Sequence, residues 1–174
     1  MYLEILTLYQ MLNFPQHAYE IRTNINNMII YNLNINNNTL YPLMKRIEKE
    51  GYATRELKVQ SGRPNKFIYH ITDAGRKRFL ELLRTFSEKD AVDDMEFFTR
   101  VVFFKYLQKN EIQKIIKMRE EYLIKKQHFY NKFDDQKHDI YSNLNYGDIK
   151  MHLNEVLNLE LEYIKTLEET LENN

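Results

Sequence analysis

Residues 60–72 read QSGRPNKFIYHIT, which places Gly62, Arg63 and Pro64 at the tip of a hairpin in a chain otherwise patterned for helices. Before the tip, YATRELKV sets Ala53, Leu57 and Val59 on one strand face with charged or polar residues alternating. After it, KFIYHI alternates Phe67, Tyr69 and Ile71 against Lys66, Ile68 and His70. Glycine and proline make such a turn tight, but a tight turn does not need an arginine between them. Everything before and after must therefore pack around one small two-stranded ribbon whose tip is cationic.

The 174 residues suffice for one ordinary core, or for a small domain with a helical appendage, and the 4 Gly and 3 Pro favour helices with short connections. With no cysteine, disulfides, thiol catalysis and thiolate zinc sites are excluded. The opening MYLEILTLYQML is not patterned as a signal peptide. The longest apolar run, VVFF at 101–104, is far short of the roughly 20 residues of a membrane span. A cytoplasmic protein without a membrane partner is expected.

A formal net charge of zero hides an asymmetry. Residues 1–90 hold 13 Lys and Arg against 9 Asp and Glu, while the remainder holds 12 against 16. The excess concentrates in residues 35–78, with 10 basic against 4 acidic side chains. That segment suits a polyanion, although a solvated face would account for the charge alone.

Along the chain, residues 2–13 carry polar side chains at Glu4, Thr7, Gln10 and Asn13 with apolar residues between, a stripe so narrow that the helix needs cover on two sides. The second cover is expected from another chain. Phe14-Pro15 breaks this helix, and the next carries Ala18, Ile21, Ile25 and Met28 on one stripe. After the Asn-rich NLNINNN, a third helix buries Leu40, Leu43, Met44 and Ile47 and stops at Gly51. Its opposite face collects Asn38, Tyr41, Pro42, Lys45 and Lys49, with Arg46 on the flank. Pro42 is compatible with a helix that begins at Thr39, or with one that begins near Asn36 and bends. Thr72 or Asp73 caps the helix that follows the ribbon.

Three helices, a two-stranded ribbon and a closing helix make the order of a winged helix-turn-helix domain, whose third helix enters the DNA major groove beside the ribbon. An arginine at the hairpin tip can then reach phosphates or a narrow minor groove. From about residue 91 long amphipathic helices follow. One places Ile112, Ile115, Ile116, Tyr122, Leu123, Phe129, Tyr130 and Phe133 on a near-heptad seam broken at Arg119 and Lys126. The last sets Leu153, Val156, Leu157, Leu161, Ile164, Leu167 and Leu171 on one side. Such stripes pair with a partner. The fold expected is mainly α with a small two-stranded β wing, a winged helix-turn-helix domain over 1–88 and a C-terminal helical dimerisation domain over 89–174.

NTLYPLMKRIEKEGY followed by GRPNKFIYHITDAGRKRFLELL resembles the signature of the PadR family of transcriptional regulators, and HAYEI at 17–21 resembles its second-helix motif. MEFFTRVVFF through the last helix is similar to the dimerisation region of the longer members. The resemblance implies a homodimer that binds double-stranded DNA at a partly palindromic operator, usually as a repressor, and in some members is released by a small aromatic effector. It also implies that Asn38, Thr39, Tyr41, Lys45 and Arg46 are the recognition-helix contacts and that Gly62, Arg63, Pro64 and Lys66 form the wing. The competing class is a winged-helix module that binds another protein through the same face.

No cofactor is expected. The histidines at 17, 70, 128, 138 and 152 lack metal-ligand spacing, and the sequence neighbours Asp93-Asp94 and Asp134-Asp135 do not face one another on a helix. Without a glycine-rich phosphate loop or a nucleophile elbow, an enzyme is not expected. The 13 Tyr and 10 Phe fall mostly at core spacing, so packing accounts for them before an effector pocket beside FFTRVVFF does.

Overall fold

The helix α1, Tyr2–Asn13, buries Ile5, Leu6, Leu8 and Met11 together with two members of its polar stripe, Glu4 and Thr7. Cover on more than one side comes from the same chain. α1 packs on α2 (Ala18–Asn26), on α4 (Asp73–Arg84) and on α6 (Asp94–Val102), and the Tyr2 N–H donates to Glu96 Oε1 at 2.8 Å. Thr7 is satisfied locally, its hydroxyl donating to the Leu3 carbonyl at 2.7 Å. The computed structural model describes residues 1–28, 35–59, 66–132 and 146–173. The hairpin tip at 60–65, with Gly62, Arg63 and Pro64, lies outside the described residues, as do 32–34 of the Asn-rich connection and Phe133.

The helix α3 runs Asn37–Lys49, capped by the Asn36 side chain, which accepts from the Thr39 N–H at 3.0 Å. It therefore starts near Asn36, and Pro42 lies beyond its first turn. Proline has no N–H for the Asn38 carbonyl one turn back, and both residues are exposed, so that acceptor faces solvent. Gly51, at φ 77°, closes the helix. Its N–H donates to the Glu48 carbonyl at 3.0 Å and the Tyr52 N–H to the Ile47 carbonyl at 2.9 Å, a Schellman arrangement that needs a left-handed residue.

Strands β2 (Ala53–Lys58) and β3 (Lys66–Ile71) form the expected antiparallel ribbon. The sheet nevertheless has three strands, in the order β1-β3-β2, because Gln16–His17 forms a short strand, β1, against Tyr69 and Ile68. Two residues are too few to show a period. Ala53 and Tyr69 reach the core, whereas Leu57 and Val59, placed by the sequence pattern on one face with Ala53, are exposed.

Thr72 caps α4, accepting from the Gly75 N–H at 3.0 Å, while its own hydroxyl donates to the Gly51 carbonyl. A Cβ on Gly75 would stand 2.0 Å from the Tyr52 carbonyl oxygen and 2.8 Å from Ile71 Cγ1. Alanine favours a helix over glycine by about 1 kcal/mol, but pressing backbone against backbone costs about 1–3 kcal/mol or more. Gly75→Ala is therefore expected to lower the unfolding free energy in a denaturant titration. An unchanged or raised midpoint would contradict the close approach.

Contacts divide the chain into two units, Met1–Phe86 with Asp94–Leu107, and Ser87–Asp93 with Gln108–Asn174. A single cut after residue 88 does not reproduce this division, because α6 and the 3-10 turn Phe104–Tyr106 pack with the first unit. There Phe103 and Tyr106 join Tyr9 and Phe79 in an aromatic cluster, with Tyr9 and Phe103 rings 4.5 Å apart. The second unit holds α5 (Glu88–Ala91), α7 (Lys109–Lys132) and α8 (Tyr146–Glu172). Arg119 does not break the α7 seam. It is buried in it, donating to the Ala91 carbonyl at 2.8 Å and pairing with Glu160 at 2.7 Å. On α8, Leu157 and Ile164 are buried against α7, while Val156, expected on the same side, is exposed.

Candidate nucleic-acid interface

With residues spaced about 100° apart around a helix, Leu40, Met44 and Ile47 define the inward side of α3, and all three are buried. Opposite them Asn38, Pro42, Lys45 and Lys49 are exposed, with Tyr41 and Arg46 on the two flanks. α2 fixes the start of this helix. Asn26 brackets Ile35, accepting from its N–H at 2.9 Å and donating to its carbonyl at 3.2 Å, and Arg22 Nη1 donates to Asn37 Oδ1 at 2.9 Å. Thr39 is exposed in the first turn, where its hydroxyl donates to Asn36 Oδ1 at 3.2 Å.

The Tyr41 flank borders a groove of about 520 Å³ between the start of α2 and β3, lined among others by His17, Tyr19, Glu20, Lys66, Phe67 and Tyr69. His17 Nδ1 donates to the Phe67 carbonyl at 2.9 Å. Burial raises the Tyr69 phenol above its usual pKa, against a lowering by Arg55, so it stays neutral. Arg55 ties the ribbon to α3, with its Nε 2.8 Å from Glu48 and its guanidinium 4.6 Å from the centre of the Phe67 ring.

The register places Lys58 directly opposite Lys66, at the base of the tip segment. Like charges facing across a ladder cost a few tenths to about 1 kcal/mol, a cost that an anionic partner offsets. Lys58 was not among the residues expected from the sequence. Its signal was available, since equal spacing on either side of Gly62 pairs 58 with 66.

Arg46 behaves differently from its neighbours. Its Nη2 donates to Glu4 Oε2 at 2.5 Å, and Arg78 Nε donates to Glu4 Oε1 at 3.1 Å. Glu4 is only 6% exposed, so α1 sends a buried carboxylate to the edge of α3. Burial works to lower the Arg78 pKa, but hydrogen bonding to Glu4 outweighs it and the net shift is upward. In the sequence Glu4 stood only as part of the polar stripe of α1 and Arg78 carried no mark, because their pairing is long-range.

The structure thus sets Asn38 and Lys45 on the outward side of α3 and Tyr41 and Lys66 on one groove, with Thr39 at the helix start and Arg46 turned to Glu4. Among the described residues no group of three or more His, Asp or Glu could hold a metal ion, and no helix is long and apolar enough to cross a membrane.

The family of PadR-like transcriptional regulators matches residues 6–81. A PadR-like transcriptional regulator from Bacillus cereus is 32% identical, over 45% of this chain and 75% of that one, with a TM-score of 0.40. A PadR family transcriptional regulator from Eggerthella lenta is 30% identical, over 46% and 67%, with a TM-score of 0.41. PadR of Bacillus subtilis, crystallised with operator DNA, is 16% identical over 97% and 98%, with a TM-score of 0.43. No curated protein matches the chain. By the signature that spans α1 to α4, residues 6–81 of the chain belong to the PadR-like family of transcriptional regulators.

Proposed function

We propose that the chain is a dimeric DNA-binding regulator that represses transcription from a palindromic operator, with the first unit holding DNA and the second holding the dimer. The observation that carries the DNA reading is the outward side of α3, polar and cationic at Asn38, Lys45 and Lys49, beside the Lys58–Lys66 pair of the ribbon. Side chains of this kind bond base edges and phosphates, and an α-helix fills a major groove. Arg63 would extend the contact from the hairpin tip.

The dimer reading is supported by α8. Away from its buried stripe, Ile149, His152, Val156, Leu159, Tyr163, Thr166 and Thr170 follow one another at alternating steps of three and four, a second heptad seam. Ile149 and Leu159 are 54% and 66% exposed in the single chain. A second copy of α8, carrying the same seam, is the proposed cover. The dimer would present two α3 helices to one side of the duplex, about one or two turns apart. A small aromatic effector would act by binding one separation better than the other.

Leu57, Val59 and Phe67 are exposed on the ribbon, and they favour the second reading, a winged-helix module that docks on another protein. Ionic strength separates the two. In a mobility-shift assay with duplex DNA from upstream of the protein's own gene, affinity should fall steeply with salt. Lys45→Ala should weaken binding about 3–10-fold and reduce the salt slope by about one. Binding that ignores both salt and Lys45 would favour the protein partner.

A further inference from the structure

The flank of α3 opposite the ribbon carries a second cationic feature. Glu4 is bonded through one oxygen to Arg46 and through the other to Arg78, which joins α1, α3 and α4 on a single buried carboxylate. The two guanidiniums are not buried with it. Their side chains keep 52% and 33% of their exposure. Each guanidinium has five N–H donors, and the hydrogen bond to Glu4 occupies Nη2 on Arg46 and Nε on Arg78. Glu81 stands 3.8 Å from Arg78 Nη1, beyond hydrogen-bond reach, and is itself 63% exposed; the Tyr52 ring lies 5.7 Å from the Arg78 guanidinium.

Beside the pair is a cavity of about 540 Å³, walled by Leu3, Pro42, Leu43 and Leu82 as well as by the two arginines and Glu4. Apolar walls lower the local dielectric and strengthen the attraction of a guanidinium for an anion. A carboxylate that holds two forks in place also removes the rotamer entropy they would otherwise lose on binding. Planar forks of this kind match phosphate oxygens two at a time.

We propose that Arg46 and Arg78 form a preorganised clamp for a backbone phosphate of duplex DNA, on the flank of α3 away from the ribbon, with Glu4 as its positioning residue. The clamp rests on the DNA reading above. It makes α3 a helix held at both margins, by the Lys58–Lys66 pair on one side and by the clamp on the other, as a helix seated between the two strands of a major groove requires.

The test uses the full chain and a fluorescent mixed-sequence duplex of about 30 base pairs, because sequence-independent binding is dominated by phosphate contacts, with KCl varied from about 50 to 200 mM. Arg78→Gln should weaken binding about 3–10-fold and lower the salt slope by about one, whereas Arg78→Lys should keep the slope but lose affinity. Glu4→Gln removes a negative charge, which by simple attraction should tighten binding; the clamp predicts weaker binding, since the forks are released. Thermal melting of each variant separates loss of fold from loss of contact, and if Glu4→Gln does not fold, the two Arg78 variants decide. Wild-type slope and affinity in Arg78→Gln, alongside a weakened Lys45→Ala, would overturn the clamp alone. A wild-type chain whose binding to the duplex does not depend on salt would overturn the clamp and the DNA reading together.

Discussion

Replacing Arg100 by methionine is expected to remove about 3–5 kcal/mol of stability, the usual cost of breaking a buried ion pair by taking away one partner. Arg100 is completely buried. Its Nη1 is paired with the Glu96 carboxylate and donates to the Glu96 carbonyl at 2.9 Å, while Nη2 donates to the carbonyls of Leu82 and Thr85 at 3.3 and 3.1 Å. One side chain thus fastens the C-terminal end of α4 to α6, and α6 is what covers α1. Methionine would fill much of the volume but leave a buried carboxylate without this cation and three carbonyls without this donor.

The pH dependence follows from Glu96. Burial by itself would raise its pKa, but hydrogen bonds from the Met1 amine, Arg100 and the Tyr2 N–H outweigh it and hold the carboxyl below its usual value of 4.5. A depressed folded-state pKa adds stability that is fully present above about pH 4.5 and is lost as pH falls through the folded value. Arg100→Met should flatten that acid-side slope in denaturant titrations between about pH 3 and 6. A variant within about 1 kcal/mol of wild type, with the slope intact, would show that the pair contributes little net stability.

The second large effect is expected at α8. Val156→Glu with Leu159→Glu places two carboxylates per copy in the proposed seam, where they would face their counterparts at close range. A loss of about 3 kcal/mol or more corresponds to at least a hundred-fold rise in the dimer dissociation constant. The fold of the single chain should survive, because both positions are exposed and the α7 contact is carried by Leu157 and Ile164. Light scattering should then report the mass of one chain where wild type reports two. An unchanged dimer would place the interface elsewhere.

Local pattern made the first unit legible in the sequence. Leu40, Leu43, Met44 and Ile47 mark the inward side of α3 by spacing alone, and Gly51 marks its end because only a left-handed residue completes that cap. Other features required partners distant in sequence. The separations of 74 positions from Glu4 to Arg78, and of 41 from Arg119 to Glu160, hide pairings that periodicity cannot express, so Arg119 looked like a break in the seam it fills. The α6 segment carried the signal of a buried helix but not of which helix it covers. On α8 the second seam was present in the spacing, masked by the stronger stripe of Leu157, Leu161 and Ile164. Gly62, Arg63 and Pro64, the most specific of the sequence signals, lie outside the described residues, so the site is carried by the α3 residues, the Lys58–Lys66 register and the Glu4 pairing.

The absence of cysteine permits a direct test of whether the outward side of α3 meets DNA, because each introduced thiol is unique. Single variants Asn38→Cys and Lys45→Cys on α3, Lys58→Cys on β2 and Lys105→Cys in the 3-10 turn can be alkylated with and without saturating duplex DNA, at salt low enough for binding. DNA is expected to slow alkylation strongly at 38, 45 and 58 and to leave 105 unchanged. Equal rates at 38 and 45 with and without bound duplex would contradict the placement of α3 in the groove.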